Sequence, residues 1–279
     1  MRFYHAHRKV GLTMRGQRSE RLARLTSKFL SKPSKNISLT ELATEFNVSK
    51  TVISDDMEVV NCAMEQEGFA HLEVERGRSG GARLLPVCEP EYRKEILEHI
   101  AQKLSDHERF LPGGLVYYSD LIFNPEISWA LGFAMASLFS LAQPDIIMTT
   151  EVKGIPISLF AAHALGCPLA VCRFRNRPSD GSAVAVHYPV ANGDVRTMYM
   201  GTRQLQKGSR VLILDDFMRG GSTVAGMQLM ARQFEANVVG TGLFITAENP
   251  REKAINDYKS LLTLSEKNGA MSLAVAQNN

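Results

Sequence analysis

A chain of 279 residues, 44% hydrophobic and 22% charged, is long enough to bury the core of one large domain with or without a small one. No apolar run approaches the ~18–20 residues of a membrane span, and the basic opening MRFYHAHRKVGLTM leads into no apolar stretch, so membrane and secretory classes are excluded and the cytoplasm is expected. Net charge is only +3, yet residues 1–50 carry 11 Lys/Arg against 3 Asp/Glu while residues 89–279 carry 18 against 19, which places a footprint for a polyanion at the N-terminal end.

Residues 1–13 read as an extension ahead of a natural start at Met14, with no ordered structure expected. From Arg18 to Leu30 the apolar residues Leu22, Leu25, Phe29 and Leu30 recur at helical spacing, and Lys32-Pro33-Ser34-Lys35-Asn36 ends that helix. Ser38 and Glu41 stand in the relation of a capping box before Leu42 and Phe46, which opens a second helix. After an Asn47-Val48 turn, Ser49 caps a third helix, on which Ile53, Met57, Val60 and Met64 share one face; it should end near Gly68. An alternating strand, a Gly-rich turn through Gly77, Gly80 and Gly81, and a short strand ending at Pro86 complete the unit. Three helices plus a hairpin make residues 14–86 a small winged helix-turn-helix domain.

Residues 88–107 read as another helix, with Tyr92, Ile96, Ile100 and Leu104 at four-residue spacing. Further on, a helix over about Pro125–Ala142 introduces apolar strands (145–150, 168–174, 210–216, 238–245) that alternate with helices (156–165, 222–234). That alternation makes residues 87–279 an α/β domain with a mostly parallel, doubly covered sheet. Residues 184–200 read as a β-hairpin turning at Asn192-Gly193. Cys62, Cys88, Cys167 and Cys172 show no zinc-type pairing and are expected to be reduced and mostly buried.

The segment VLILDDFMRGGST (211–223) carries the most chemistry. An apolar strand ends in Asp215-Asp216, passes through a loop of small residues and enters a helix at Ser222-Thr223. Such a loop offers backbone N–H groups to a phosphate at a helix N-terminus, where the dipole favours an anion, and Thr223 adds a hydroxyl donor. Two carboxylates beside an anion site suit the hydroxyls of a sugar, so a sugar phosphate satisfies both halves. The alternative is an ordinary strand–loop–helix with solvated carboxylates.

This segment closely resembles the thirteen-residue motif by which type I phosphoribosyltransferases bind phosphoribosyl pyrophosphate (PRPP). The resemblance implies that Asp215 and Asp216 hold the ribose hydroxyls and that Arg219, Gly220, Gly221, Ser222 and Thr223 cradle the 5-phosphate. Ser222 replaces a glycine frequent in the enzymes. In TTEVKGIPIS (149–158), Lys153 and Gly154 fall where that family keeps its pyrophosphate loop. Arg173, Arg175 and Arg177 fall where it keeps a mobile loop; Arg173 or Arg175 would contact pyrophosphate, or the three form a solvated basic loop. His187 and Tyr188 on the hairpin receive no catalytic role.

On the N-terminal domain, Ser49, Lys50, Thr51 and Ser54 form the exposed start of the third helix, where short polar and basic side chains suit a major groove. Wing residues Arg76, Arg78 and Arg83 and arm residues Arg15, Arg18 and Arg21 would meet the DNA backbone. Helix pairs without a DNA role share this pattern. The order SKTVISDDMEVV, RFLPGGLVYYSD, KGIP, LILDDFMRGGST resembles the purine operon repressor family of Gram-positive bacteria from Met14 to about Leu264; the last residues, SEKNGAMSLAVAQNN, match poorly.

That resemblance implies a homodimer on double-stranded DNA upstream of purine synthesis genes, with PRPP, accompanied by Mg2+, as effector and no resident cofactor or metal. The expected function is thus a PRPP-responsive transcription regulator, a repressor relieved by PRPP or else an activator. An active purine phosphoribosyltransferase with an appended nucleic-acid-binding domain, or a bifunctional enzyme that binds RNA, are the alternatives. The appended winged helix and the position of the basic charge favour the regulator.

Overall fold

The computed structural model describes residues 17–75, 80–190, 193–267 and 269–278. The N-terminal unit runs α1 (Gln17–Ser31), β1 (Ile37–Ser38), α2 (Leu39–Phe46), α3 (Lys50–Gln66), β2 (His71–Val74) and β3 (Gly81–Leu85), with its strands in the order β1-β3-β2. The expected caps form: Ser38 Oγ accepts from the Glu41 N–H at 3.4 Å, and Ser49 Oγ from the Val52 N–H at 3.3 Å. Between them Asn47 turns left-handed at φ 53°, a conformation its short polar side chain tolerates. Leu25, Phe29, Leu42, Ile53, Met57, Val60 and Leu84 are the buried centre of this unit. The wing arginines Arg76 and Arg78, with Gly77, and the arm residue Arg15 lie outside the described residues.

One charge is buried in that core. Asp56 of α3 is 1% exposed and receives the Nε of Arg18 at 3.0 Å and the Nε of Arg21, so α1 is clamped to α3 by two guanidinium groups on one carboxylate.

The larger unit follows as α4 (Pro90–Leu104), β4 (Phe110–Leu111), β5 (Leu115–Val116), α5 (Ser119–Ile122), α6 (Pro125–Leu138), β6 (Ile146–Thr150), α7 (Gly154–Leu165) and β7 (Leu169–Cys172). It continues with β8 (Ala183–Pro189), β9 (Val195–Gly201), β10 (Arg210–Met218), α8 (Ser222–Gln233), β11 (Asn237–Ala247), β12 (Lys259–Lys267) and β13 (Ala270–Val275). The main sheet has the order β13-β12-β11-β10-β6-β7, parallel throughout except for the antiparallel edge strand β13. Strand residues alternate between two cores. Ile147, Leu212, Leu214 and Phe244 face α4, α6 and α7, whereas Ile146, Met148, Val211 and Ile213 face α8 and the β8–β9 hairpin.

Three differences from the sequence reading have physical causes. The helix expected to reach Ala142 stops at Leu138, and a 3-10 turn over Ser140–Ala142 leads to Gln143 in a left-handed conformation, φ 43°. The helix expected over 88–107 occupies Pro90–Leu104, started by a proline in its first turn. The C-terminal residues form β12 and β13, whose mixed polar and apolar residues carry no periodicity clear enough to read; Leu97, Ile100 and Leu104 of α4 share their core. The β8–β9 hairpin forms and Gly193 turns at φ 79°, while Asn192 lies outside the described residues.

The two units meet at the far end of α7. Ser34 Oγ donates to the Ala164 carbonyl at 2.8 Å, His163 Nε2 stands 3.1 Å from the Leu30 carbonyl, and Gly166, at φ 68°, sits against Pro33 and Ser34. Nearby, Phe69 packs edge-on against Trp129 at 5.3 Å, which in turn touches Phe133 at 4.6 Å. Among the described residues no helix is long and apolar enough to cross a membrane.

The double clamp on Asp56 sets a stability expectation. Arg21 is only 11% exposed, so Asp56→Ala leaves a largely buried guanidinium without its counter-charge. The winged-helix unit should lose about 3 kcal/mol, read as faster native-state hydrogen exchange in α1 and α3; unchanged exchange there would show that the clamp contributes nothing.

Candidate functional site

Chain order leaves β6 for β7 on one side and returns to β10 on the other, so the sheet has a switch point between β6 and β10. In parallel α/β sheets the crevice for a ligand lies there, at the carboxyl ends of the strands. Strand β6 pairs with β10 only from Ile146↔Val211 to Met148↔Ile213, and beyond that the two part. Across the fork Thr150 Oγ1 donates to Asp215 Oδ1 at 2.8 Å, both groups being buried.

The backbone after β6 turns through Glu151, Val152 and Lys153 into α7, so the loop expected to meet pyrophosphate lies directly over Asp215. Gly154 makes that approach possible: a Cβ there would collide with Thr149 Oγ1 and lie 2.8 Å from Asp215 Oδ1. Burial first, and then the neighbouring charge of Asp216, holds the Asp215 carboxyl well above the usual carboxylate range. Asp216 Oδ2 accepts from the Tyr118 hydroxyl at 2.5 Å, and Lys153 Nζ stands 4.4 Å over the same phenol ring. The structure therefore brings Asp215, Asp216, Lys153 and Gly154 together, with Thr150 and Tyr118 beside them.

After Met218 the loop Arg219-Gly220-Gly221 leads into α8. Gly221, at φ 85°, is the N-cap, and among the described residues no side chain caps the helix. The first N–H groups of α8 are thus left without a side-chain cap, the kind of helix start that can receive an anion. A Cβ on Gly220 would meet nothing within 4 Å, so that glycine leaves room above the loop. The loop is braced from the chain after β11: Lys253 Nζ donates to the Arg219 carbonyl at 2.9 Å, and the Ala254 N–H to the Gly220 carbonyl at 2.8 Å. Below, Tyr188 is 1% exposed and its ring fills the space over Gly226 of α8, where a Cβ would come within 2.8 Å.

Arginines in the region divide by their partners. The Arg219 guanidinium donates to the carbonyls of Gly113, at 3.0 Å, and Gly114, so its charge is engaged by the chain before α5. Arg173 binds Asp180 and, at 3.2 Å, Glu151, which also receives Arg177 at 3.3 Å. Arg173 thus anchors the turn after β6 through Glu151. Arg175 is exposed and engages none of the described residues. On the other unit, Ser49, Lys50 and Thr51 are exposed at the start of α3 and Ser54 is half-buried one turn on, while Arg18 keeps 61% of its side chain exposed despite its bond to Asp56. Among the described residues no cluster of three or more His, Cys, Asp and Glu side chains is placed to hold a metal ion.

Thr150 and Tyr118 escaped sequence reasoning for different reasons. Thr150 closes an apolar strand and looks like an ordinary terminal residue. Tyr118 sits 98 residues from Asp216, and only folding brings them together.

Residues 17–86 match the family described as "Bacterial purine repressor, N-terminal", and residues 119–275 match the "Phosphoribosyl transferase domain". The chain is 36% identical to the purine biosynthesis transcriptional repressor PurR of Bacillus subtilis, over 91% of this chain and 90% of that protein. It is 32% identical to the purine biosynthesis transcriptional activator PurR of Lactococcus lactis, over 88% and 91%. A xanthine phosphoribosyltransferase of Geobacillus thermodenitrificans is 34% identical over 50% of this chain and 70% of its own. Among solved structures, adenine phosphoribosyltransferase of Thermoanaerobacter pseudethanolicus aligns with a TM-score of 0.53 at 17% identity, covering 60% of this chain and 99% of that one, a likeness of fold.

The raised carboxyl of Asp215 has a measurable consequence. A folded-state value above the unfolded one contributes stability that is full below the ordinary carboxylate range and is lost as pH rises through the raised value. Asp215→Asn keeps an acceptor for Thr150 and removes the ionisation. It should therefore stabilise the protein against denaturant progressively more as pH rises above the ordinary carboxylate range; a gain independent of pH would contradict the assignment.

Proposed function

The chain belongs to the bacterial family of purine biosynthesis transcriptional regulators, and from that membership we propose that it is a DNA-binding regulator whose C-terminal domain senses PRPP. The observation that carries this reading is the span of α7. Its N-terminus is the Lys153-Gly154 loop above Asp215, and its C-terminus bears the winged helix through Ala164, His163 and Gly166. A ligand that tightens the loop at one end acts on the helix that seats the DNA-binding unit at the other.

In this reading the ribose hydroxyls meet Asp215 and Asp216, the 5-phosphate lies on Gly220 to Thr223, and the pyrophosphate meets Lys153, bringing Mg2+ with it. Ser49, Lys50, Thr51 and Ser54 enter the major groove of double-stranded DNA upstream of purine genes, and Arg18 and the wing follow the phosphates. The protein acts as a homodimer in the cytoplasm, and PRPP relieves repression; the relatives include both a repressor and an activator. The phosphoribosyltransferase fold serves recognition rather than turnover, so PRPP with Mg2+ and each purine base should release pyrophosphate far more slowly than about 1 per second. Release at or above that rate would restore the enzyme reading.

Operator affinity titrated with PRPP tests the sensor. At fixed salt, because ionic strength alone changes DNA affinity steeply, PRPP should change affinity by about 5–150-fold. Asp215→Asn with Asp216→Asn should abolish that response and leave affinity without PRPP intact, whereas Lys50→Ala should weaken operator binding with or without PRPP. A response to PRPP no larger than that to an equally charged polyphosphate, or one that survives in the double variant, would overturn the reading.

A further inference from the structure

Tyr118 lies outside both the strand–loop–helix that holds the aspartates and the loop that holds Lys153, yet it touches a residue of each. Its hydroxyl donates to Asp216 Oδ2 at 2.5 Å, and its ring face carries Lys153 Nζ at 4.4 Å. The rest of the ring is enclosed. Phe217 lies nearly parallel to it at 6.4 Å, Phe244 stands edge-on at 6.1 Å, and the residue as a whole is 5% exposed. A side chain packed in this way does not swing aside for a ligand, because leaving would open a void that its neighbours cannot fill.

Thr150 takes Oδ1 of Asp215, and Tyr118 takes Oδ2 of Asp216. With Oδ2 held by the phenol, Asp216 presents its other oxygen as the acceptor for a sugar hydroxyl, whereas Asp215 is enclosed and engaged by both Thr150 and Asp216. The ring has a second effect. Lys153 and Asp216 carry opposite charges, and without an intervening group they would pair and close the site. Over a ring face the ammonium is held loosely enough to turn to a phosphoryl oxygen, whose full charge attracts it more strongly.

We propose that Tyr118 is the positioning residue that tunes this site to a vicinal diol bearing a phosphorylated arm: its hydroxyl aims the free oxygen of Asp216, and its ring keeps Lys153 from that carboxylate. The inference rests on the PRPP reading above and assigns that site's selectivity to a residue outside its two loops.

Binding of PRPP, ribose 5-phosphate and 2-deoxyribose 5-phosphate to the full chain, measured by calorimetry with Mg2+, tests it through two ratios. The parent should bind PRPP and should prefer ribose 5-phosphate over its 2-deoxy analogue. Tyr118→Phe, which keeps the ring, should lose about fivefold or more of that preference while keeping the parent's ratio of PRPP to ribose 5-phosphate. Tyr118→Leu, which also removes the ring, should lose both ratios, since Lys153 is then free to pair with Asp216. Such selectivities would not move if the tyrosine only filled space. An unchanged diol preference in Tyr118→Phe, or equal behaviour of the two variants on both ratios, overturns the role of Tyr118 and leaves PRPP sensing standing. A parent that binds no PRPP removes the sensor reading and this inference with it.

Discussion

A single hydrogen bond across a fork in the sheet organises the large unit: Thr150 at the end of β6 to Asp215 near the end of β10. It forms where the two strands have stopped pairing, so it takes over from the backbone ladder. A buried carboxylate is tolerated only when something hydrogen-bonds to it. That requirement fixes where β6 ends, and the chain then has to turn over Asp215 within three residues. The lack of a side chain at Gly154, where α7 begins, permits the turn. The turn that carries Lys153 and the strand that leads into α8 are thus each attached to one side of the same buried contact.

The sequence disclosed the parts of this arrangement whose signal is local. Strand β10 is a run of branched apolar residues leading to two carboxylates, and the small residues after it announce a tight loop into a helix. The caps at Ser38 and Ser49 are hydroxyls three residues ahead of the N–H groups they meet, so the helix-turn-helix was readable almost to the residue. What escaped depends on partners distant in the chain. Arg173 looks like one of three equivalent basic residues, yet its position between Glu151 and Asp180 makes it a brace and separates it from exposed Arg175. Arg219 stands inside the small-residue loop after β10 in sequence, but the carbonyls of Gly113 and Gly114 draw its guanidinium to another part of the chain. Strand β13 has meaning only beside β12 and under α4.

Charge in the N-terminal unit follows the same logic. Its basic excess reads as a surface for DNA, but Arg21 commits its charge inside the fold to Asp56 and Arg18 shares in that duty. Arg24 and Lys28 likewise lie against Glu45. The cations that remain free to meet a polyanion are fewer than composition alone implies, and Lys50 stands at the exposed N-terminal end of α3 beside two hydroxyl residues.

The sequence contains one tryptophan, and it stands at the junction of the two units. Trp129 forms one aromatic cluster with Phe69, at the foot of the winged helix, and Phe133, within its own helix. Along α7 it lines an apolar cleft with Leu159, His163 and Cys167, where the domains adjoin. Indole emission depends on the polarity and the ring contacts around it, so the protein carries a native optical probe at the junction of its two units. Every photon it emits under tryptophan-selective excitation comes from the junction, and rotation of one unit on the other registers there without any label.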